Sequence, residues 1–101
     1  MIRHVVMFKF KDFAEGRTKD ENVRITKEML EALPAKIDLI KNSVVAVNAK
    51  FANPENCDLV LISDFESYDD LQKYIVHPDH KAVGAFMRPV RISRSSVDYE
   101  L

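Results

Sequence analysis

The sequence predicts an α+β domain in which helices cover one face of a four-stranded antiparallel sheet. Three observations predict it. Strand-like and helix-like segments follow one another in the order β-α-β-β-α-β. The clearest strands are apolar on both faces, so each face of the sheet needs an apolar neighbour. The length, 101 residues, suits one domain rather than two.

The first strand spans Ile2 to Lys11. Its even positions are Ile2, His4, Val6, Phe8 and Phe10, and its odd positions include Val5 and Met7. Alternation puts the two sets on opposite faces, with His4 the one polar interruption on the even, helix-facing side. Thr18 to Leu33 reads as a helix, with Val23, Thr26, Leu30 and Leu33 on one side and alternating charges on the other. Pro34 is expected to stop it. A second strand lies within Ile37 to Lys50, most clearly Val44 to Val47. Asn53-Pro54 and Asn56 then mark a turn. Asp58 to Glu66 is the third strand, with Leu59, Leu61, Ser63 and Phe65 on one face. A loop of about seven residues between these strands suits an antiparallel hairpin.

Ser67 is an N-cap residue, with Asp70 three positions on. The helix it opens runs to about Val76, with Tyr68, Leu71, Tyr74 and Ile75 facing inward. Asp79 to Met87 forms another short helix after Pro78, and Pro89 ends it. Arg91 to Glu100 is the last strand. This order is the split βαβ, ferredoxin-like arrangement. Its open face is expected to carry Val5, Met7, Val45, Val60, Ile62, Val97 and Tyr99. A patch of that size calls for a second copy of the chain, hence a homodimer through the sheet face.

Composition narrows the function. Hydrophobic residues make up 47% and charged residues 31%, and 15 basic against 16 acidic side chains leave a net charge of −1. Nucleic acid is not expected as a partner, because no basic excess is present to neutralise phosphates. No membrane partner is expected, since no stretch approaches the roughly 18 apolar residues of a membrane span. Met1-Ile2-Arg3-His4 is too polar to open a signal peptide. The single cysteine, Cys57, permits no internal disulfide, so a cytoplasmic location is expected.

The string Tyr74-Ile75-Val76-His77-Pro78-Asp79-His80 concentrates the candidate chemistry. Histidine titrates near neutrality and is the usual general acid or base, and a nearby tyrosine can hydrogen-bond a reacting oxygen. The alternative is that His77 and His80 cap and brace the corner between two helices. If the last helix folds over the first strand, His4 approaches His80. No metal site is expected, since the histidine spacing matches no zinc-helix motif. Arg94 is expected to share a strand face with Ile92, Ser96 and Asp98. On the helix side it would favour a carboxylate or phosphate ligand; otherwise it is a solvated edge or a dimer salt bridge. Cys57 has no base beside it and reads as incidental.

Four pieces together give a resemblance: Ile2 to Lys11 with its strand histidine, Phe65-Glu66-Ser67, Tyr74-x-x-His77-Pro78-x-His80, and Val97-Asp98-Tyr99-Glu100. In this order the chain resembles the stress-responsive A/B barrel domain (Dabb) family, as a single domain over residues 1–101. The resemblance implies two ferredoxin-like protomers pairing sheet to sheet into a homodimeric α+β barrel. The family is similar in fold to antibiotic-biosynthesis and haem-degrading monooxygenases. A plant relative closes a linear polyketide by aldol condensation without a cofactor. Tyr74 and His80 match its acid/base pair, and His4 matches its strand histidine.

The resemblance therefore implies a small-molecule pocket protein, with cofactor-free cyclase, isomerase or lyase chemistry as the leading expectation. Catalysis would fall to His80, Tyr74 and His4. The pocket would use Val6, Phe8, Leu61, Phe65, Leu71, His77 and Arg94. A non-enzymatic stress-response or ligand-binding protein is one alternative, and a cofactor-free or haem-binding monooxygenase-like barrel is another. The plant cyclase is apolar in its last strand, fitting an alkyl tail. Here Arg91 to Ser96 is polar, so the resemblance does not extend to the substrate.

Overall fold

A computed structural model describes all residues, 1–101. The elements are β1 (Ile2–Phe10), β2 (Phe13–Ala14), β3 (Arg17–Thr18), α1 (Lys19–Lys36), β4 (Asn42–Val47), β5 (Leu59–Phe65), α2 (Tyr68–Ile75), α3 (Pro78–Met87) and β6 (Arg91–Glu100). One antiparallel sheet has the order β4-β5-β1-β6, which is the ferredoxin-like topology. The core lies between this sheet and the helices and is built from Val6, Phe8 and Phe10 of β1, Leu59, Leu61 and Phe65 of β5, and the inner helix residues. No helix is long and apolar enough to cross a membrane.

Thr18 caps α1 in a reciprocal box. Its hydroxyl accepts from the Glu21 amide, and the Glu21 carboxylate accepts from the Thr18 amide. Pro34 does not end the helix; it lies in the last turn, and α1 continues to Lys36. A proline this near the end removes a single ladder bond, and the Ile37 amide still closes on the Leu33 carbonyl. The β2–β3 hairpin was not expected. Glu15 (φ 55°) and Gly16 (φ 75°) both take positive φ, the signature of a two-residue primed turn, in which glycine is the easy residue. Asn22, fully buried, ties this hairpin to α1 by donating to the Ala14 carbonyl and accepting from Arg17.

Two expected orientations are corrected. Tyr68 sits at the first position of α2 and is exposed rather than inward. Val45 lies opposite Leu61, so it packs on the helix side, and Val44, opposite Ile62, takes the open face instead. A slip of one residue exchanges the two faces of a strand.

The open face combines an apolar field with one polar cluster. Arg3 donates two hydrogen bonds to Asp64, at 2.8 and 2.9 Å, and Asn42 donates a third at 3.2 Å. These donors, Arg3 first, hold the Asp64 carboxyl below its ordinary value of 3.8. A carboxylate with a depressed folded pKa stabilises the fold above its unfolded value and loses that contribution as pH falls through the folded value. Stability followed from neutral pH into acid should therefore fall more steeply for wild type than for Asp64→Asn. Parallel curves would show that the cluster contributes nothing.

Candidate functional site

A cavity of about 330 Å³ opens between α3 and the helix-side face of the sheet. His4, Val6 and Phe8 of β1 alternate into it, as period two requires. Leu61 of β5 and Leu30 of α1 close the back. Helix α3 supplies His80, Val83, Gly84, Met87 and, at its C-cap, Arg88. Those positions fall at three- and four-residue spacing and make one helix stripe. Strand β6 adds Arg91 and Arg94.

The register of β6 explains both arginines. Asp98, Ser96 and Arg94 lie opposite His4, Val6 and Phe8, so all three stand on the helix side. Arg94 and Arg91 are three residues apart, which in a regular strand would place them on opposite faces. A register shift between Lys9 and Phe10 sets Arg91 opposite Phe10 and returns it to the cavity side.

Each cavity histidine has Nδ1 tied to the protein. His4, buried in β1, sets Nδ1 at 2.5 Å from an Asp98 carboxylate oxygen. The carboxylate accepts the Nδ1 proton and fixes the ring, and Nε2 has no protein partner. His80 donates from Nδ1 to the Ile75 carbonyl at 3.0 Å, likewise leaving Nε2 free. Burial, more than any other influence, pushes the His80 pKa below its ordinary 6.5, and the positive neighbourhood of Arg94 acts in the same direction. His80 is therefore neutral at neutral pH, the state that accepts a proton.

Tyr74 packs between the two imidazoles, its ring centroid 4.5 Å from that of His80 and 6.4 Å from that of His4. Burial pushes its phenol up to about 12, so it stays protonated at neutral pH and can donate a proton or hydrogen bond but not act as a base. Tyr74 does not lie on the cavity lining; with Phe65 and Leu71 it forms the core wall behind it. His77 is also outside the cavity. Its Nδ1 accepts from the Asp79 amide at 3.1 Å and caps α3. His80 also braces the corner, by satisfying the carbonyl at the end of α2.

The structure thus brings His4, His80, Val6, Phe8, Leu61 and Arg94 to one cavity, and sets Tyr74, Phe65, Leu71 and His77 apart from its surface. Sequence reasoning missed Asp98 as the partner of His4, and Arg88 and Arg91 as lining residues. Counting four and eight residues on from His80 along its helix would have found Gly84 and Arg88. No three His, Cys, Asp or Glu side chains gather as a metal site would require. Ser63, across from His4 in register, has a buried hydroxyl with no partner.

The family model for the Stress responsive A/B Barrel Domain matches residues 2–101. Olivetolic acid cyclase from Cannabis sativa is 28% identical over 87 residues, which is 86% of this chain and 83% of the cyclase. A dimeric protein of unknown function and ferredoxin-like fold from Bacteroides fragilis is 35% identical, with a TM-score of 0.82 over 99% of this chain and 95% of that one. A dimeric ferredoxin-like protein of unknown function from Thermobifida fusca is 30% identical, also with a TM-score of 0.82, over 99% and 90% of the two chains. With the same fold, and a family match that runs from the first residue of β1 to the end of the chain, this chain belongs to the stress-responsive A/B barrel domain family.

Proposed function

We propose that the cavity binds a small carbonyl compound and that His80 and His4 move a proton within it, without a cofactor, in a cyclase, isomerase or lyase reaction. One observation carries this reading. Two imidazoles share one cavity, and each has Nδ1 tied and Nε2 free. In the proposed step the neutral His80 Nε2 removes a proton from the carbon beside the carbonyl, and the electron pair moves to the carbonyl oxygen. His4, its ring oriented by the Nδ1 bond to Asp98, presents Nε2 to the same substrate as the second proton-transfer group, and the proton gained by His80 is returned to the developing oxyanion. Tyr74, the third member of the expected trio, supports both rings from behind. The apolar wall excludes water and holds the chain of the ligand near its reacting shape.

The likeness to olivetolic acid cyclase supports this class of chemistry. The relatives described as dimeric support a homodimer, the exposed apolar residues of the open sheet face favour that face for it, and a chain with one unpaired cysteine suits a reducing cytoplasm. The test is deuterium incorporation from D2O into methyl ketones, 2-octanone and 7-oxooctanoate, followed by NMR. Enzyme-dependent exchange beside the carbonyl, abolished by His80→Gln, is the expected result. Exchange at the buffer rate with both ketones would contradict the reading.

A further inference from the structure

Three guanidinium groups, Arg88, Arg91 and Arg94, line the cavity, and no carboxylate lines it with them. None of the three forms a salt bridge, and the one side-chain hydrogen bond among them joins Arg94 Nη1 to the Ser96 hydroxyl at 3.2 Å. Elsewhere on this molecule arginines do find partners: Arg3 takes Asp64, Arg17 takes Asn22 and Arg24 takes Glu28. The chain as a whole is close to neutral. Gathering three unpaired cations at one opening therefore leaves a local positive field that an anion would satisfy.

Their placement along the cavity is directional. The His4–Asp98 pair is at one end, and Arg94 stands opposite Phe8, four residues further along the strand pair, with Arg91 beyond it. At strand rise, four residues correspond to about 13 Å between backbone positions. The Arg94 side chain reaches back to Ser96, opposite Val6, so Arg88 and Arg91 mark the far end and Arg94 stands between them and the histidines. His4 is buried, whereas Arg88 and Arg94 are exposed. The two ends are joined by apolar wall from Val6, Phe8, Val83 and Met87.

We propose that Arg88 and Arg91, with Arg94 on their inner side, clamp an anionic group, a carboxylate or a phosphoryl group, on the end of the substrate remote from its reacting carbon. This deepens the acid–base reading and rests on it for the position of the reacting carbon. The substrate is then a molecule with an anion at the mouth, an apolar middle and a carbonyl beside the histidines. The clamp draws the ligand in by charge and fixes which end enters first.

The experiment is calorimetric binding of octanoate, octyl phosphate and 1-octanol to the full chain, at low and high ionic strength. At least one anion should bind about tenfold or more tighter than the alcohol, and raising salt should erode that advantage. Octanoate binding tighter than octyl phosphate identifies a carboxylate substrate, and the reverse order identifies a phosphoryl group. Arg91→Gln and Arg94→Gln, both at surface-accessible side chains, should each weaken the preferred anion by about tenfold and leave the alcohol unchanged. Equal binding of alcohol and anions, no binding of any of the three, or arginine variants that bind like wild type would overturn the proposal. These ligands lack a ketone and the readout needs no turnover. Loss of ketone exchange with anion binding intact would therefore sink the acid–base reading alone.

Discussion

His80→Gln should lower protein-dependent exchange beside a ketone by about two to four orders of magnitude while the chain stays folded. The side chain makes one hydrogen bond, to the Ile75 carbonyl, and lines a cavity rather than filling the core. Losing that bond costs about 1 kcal/mol. His77→Ala supplies the opposite pattern. His77 caps α3, so its loss should cost about 0.5–2 kcal/mol of stability, and it lies outside the cavity, so exchange should persist.

The pH dependence follows from the same burial. A histidine held below 6.5 in the fold remains a competent base at mildly acidic pH, so the acidic limb of wild-type exchange should fall below 6.5. The unfolded chain takes up the proton first. Acidification from about 6.5 downward therefore destabilises the fold through this group, and that loss should be absent in His80→Gln. Exchange that is unaffected by the substitution would remove His80 from the chemistry.

Ile62→Asp should convert a dimer into a monomer. Ile62 lies at the centre of the open sheet face, between Val5 and Val44 in register, with Val60, Met7, Val97 and Tyr99 around it. Met7, Val44, Val97 and Tyr99 are each at least 40% exposed in the single chain, which is more apolar surface than an isolated sheet usually leaves in water. An aspartate in the middle of a sheet-to-sheet interface would be buried without a partner. Such a charge costs about 3–5 kcal/mol, a weakening of roughly a hundredfold to a few thousandfold. Sedimentation at micromolar concentration should give about twice the chain mass for wild type and the chain mass for the variant. A wild-type monomer would contradict the barrel. The variant should stay folded, because residue 62 points away from the helix-side core.

Much of the scaffold was legible because period and caps are local signals. The even face of β1, the inner residues of α1 and the Ser67 cap follow from spacing alone. The errors arise where one residue decides. Val44 and Val45 are interchangeable in a run of β-branched residues, and only pairing with β5 assigns their faces. Glu15-Gly16 carries a weaker turn signature than Asn-Gly, so the hairpin before α1 was silent. His4 was legible as a polar residue interrupting an apolar face, and His80 from the histidine–proline string it shares with Tyr74. Arg91 was not, because a bulge reverses the face that alternation would assign it. Asp98 could be tied to His4 only by the β1–β6 register, across most of the chain length. Tyr74 was read onto the pocket from the string it shares with His80, but the turn of α2 carries it into the wall behind.

The central claim is that the cavity itself is where the proton moves, and Gly84 offers the most direct test of it. Gly84 lies on the lining, and a β-carbon added there would meet nothing within 4 Å. A larger side chain at that position enters the cavity without displacing backbone, and replacing a helical glycine also favours the folded state. The measurement is deuterium exchange into 7-oxooctanoate by Gly84→Phe beside wild type, with circular dichroism and thermal unfolding on the same samples. A folded variant whose exchange has fallen to the buffer rate is the predicted result. A folded variant that exchanges the ketone at the wild-type rate would contradict the account, since it would place the chemistry outside the cavity.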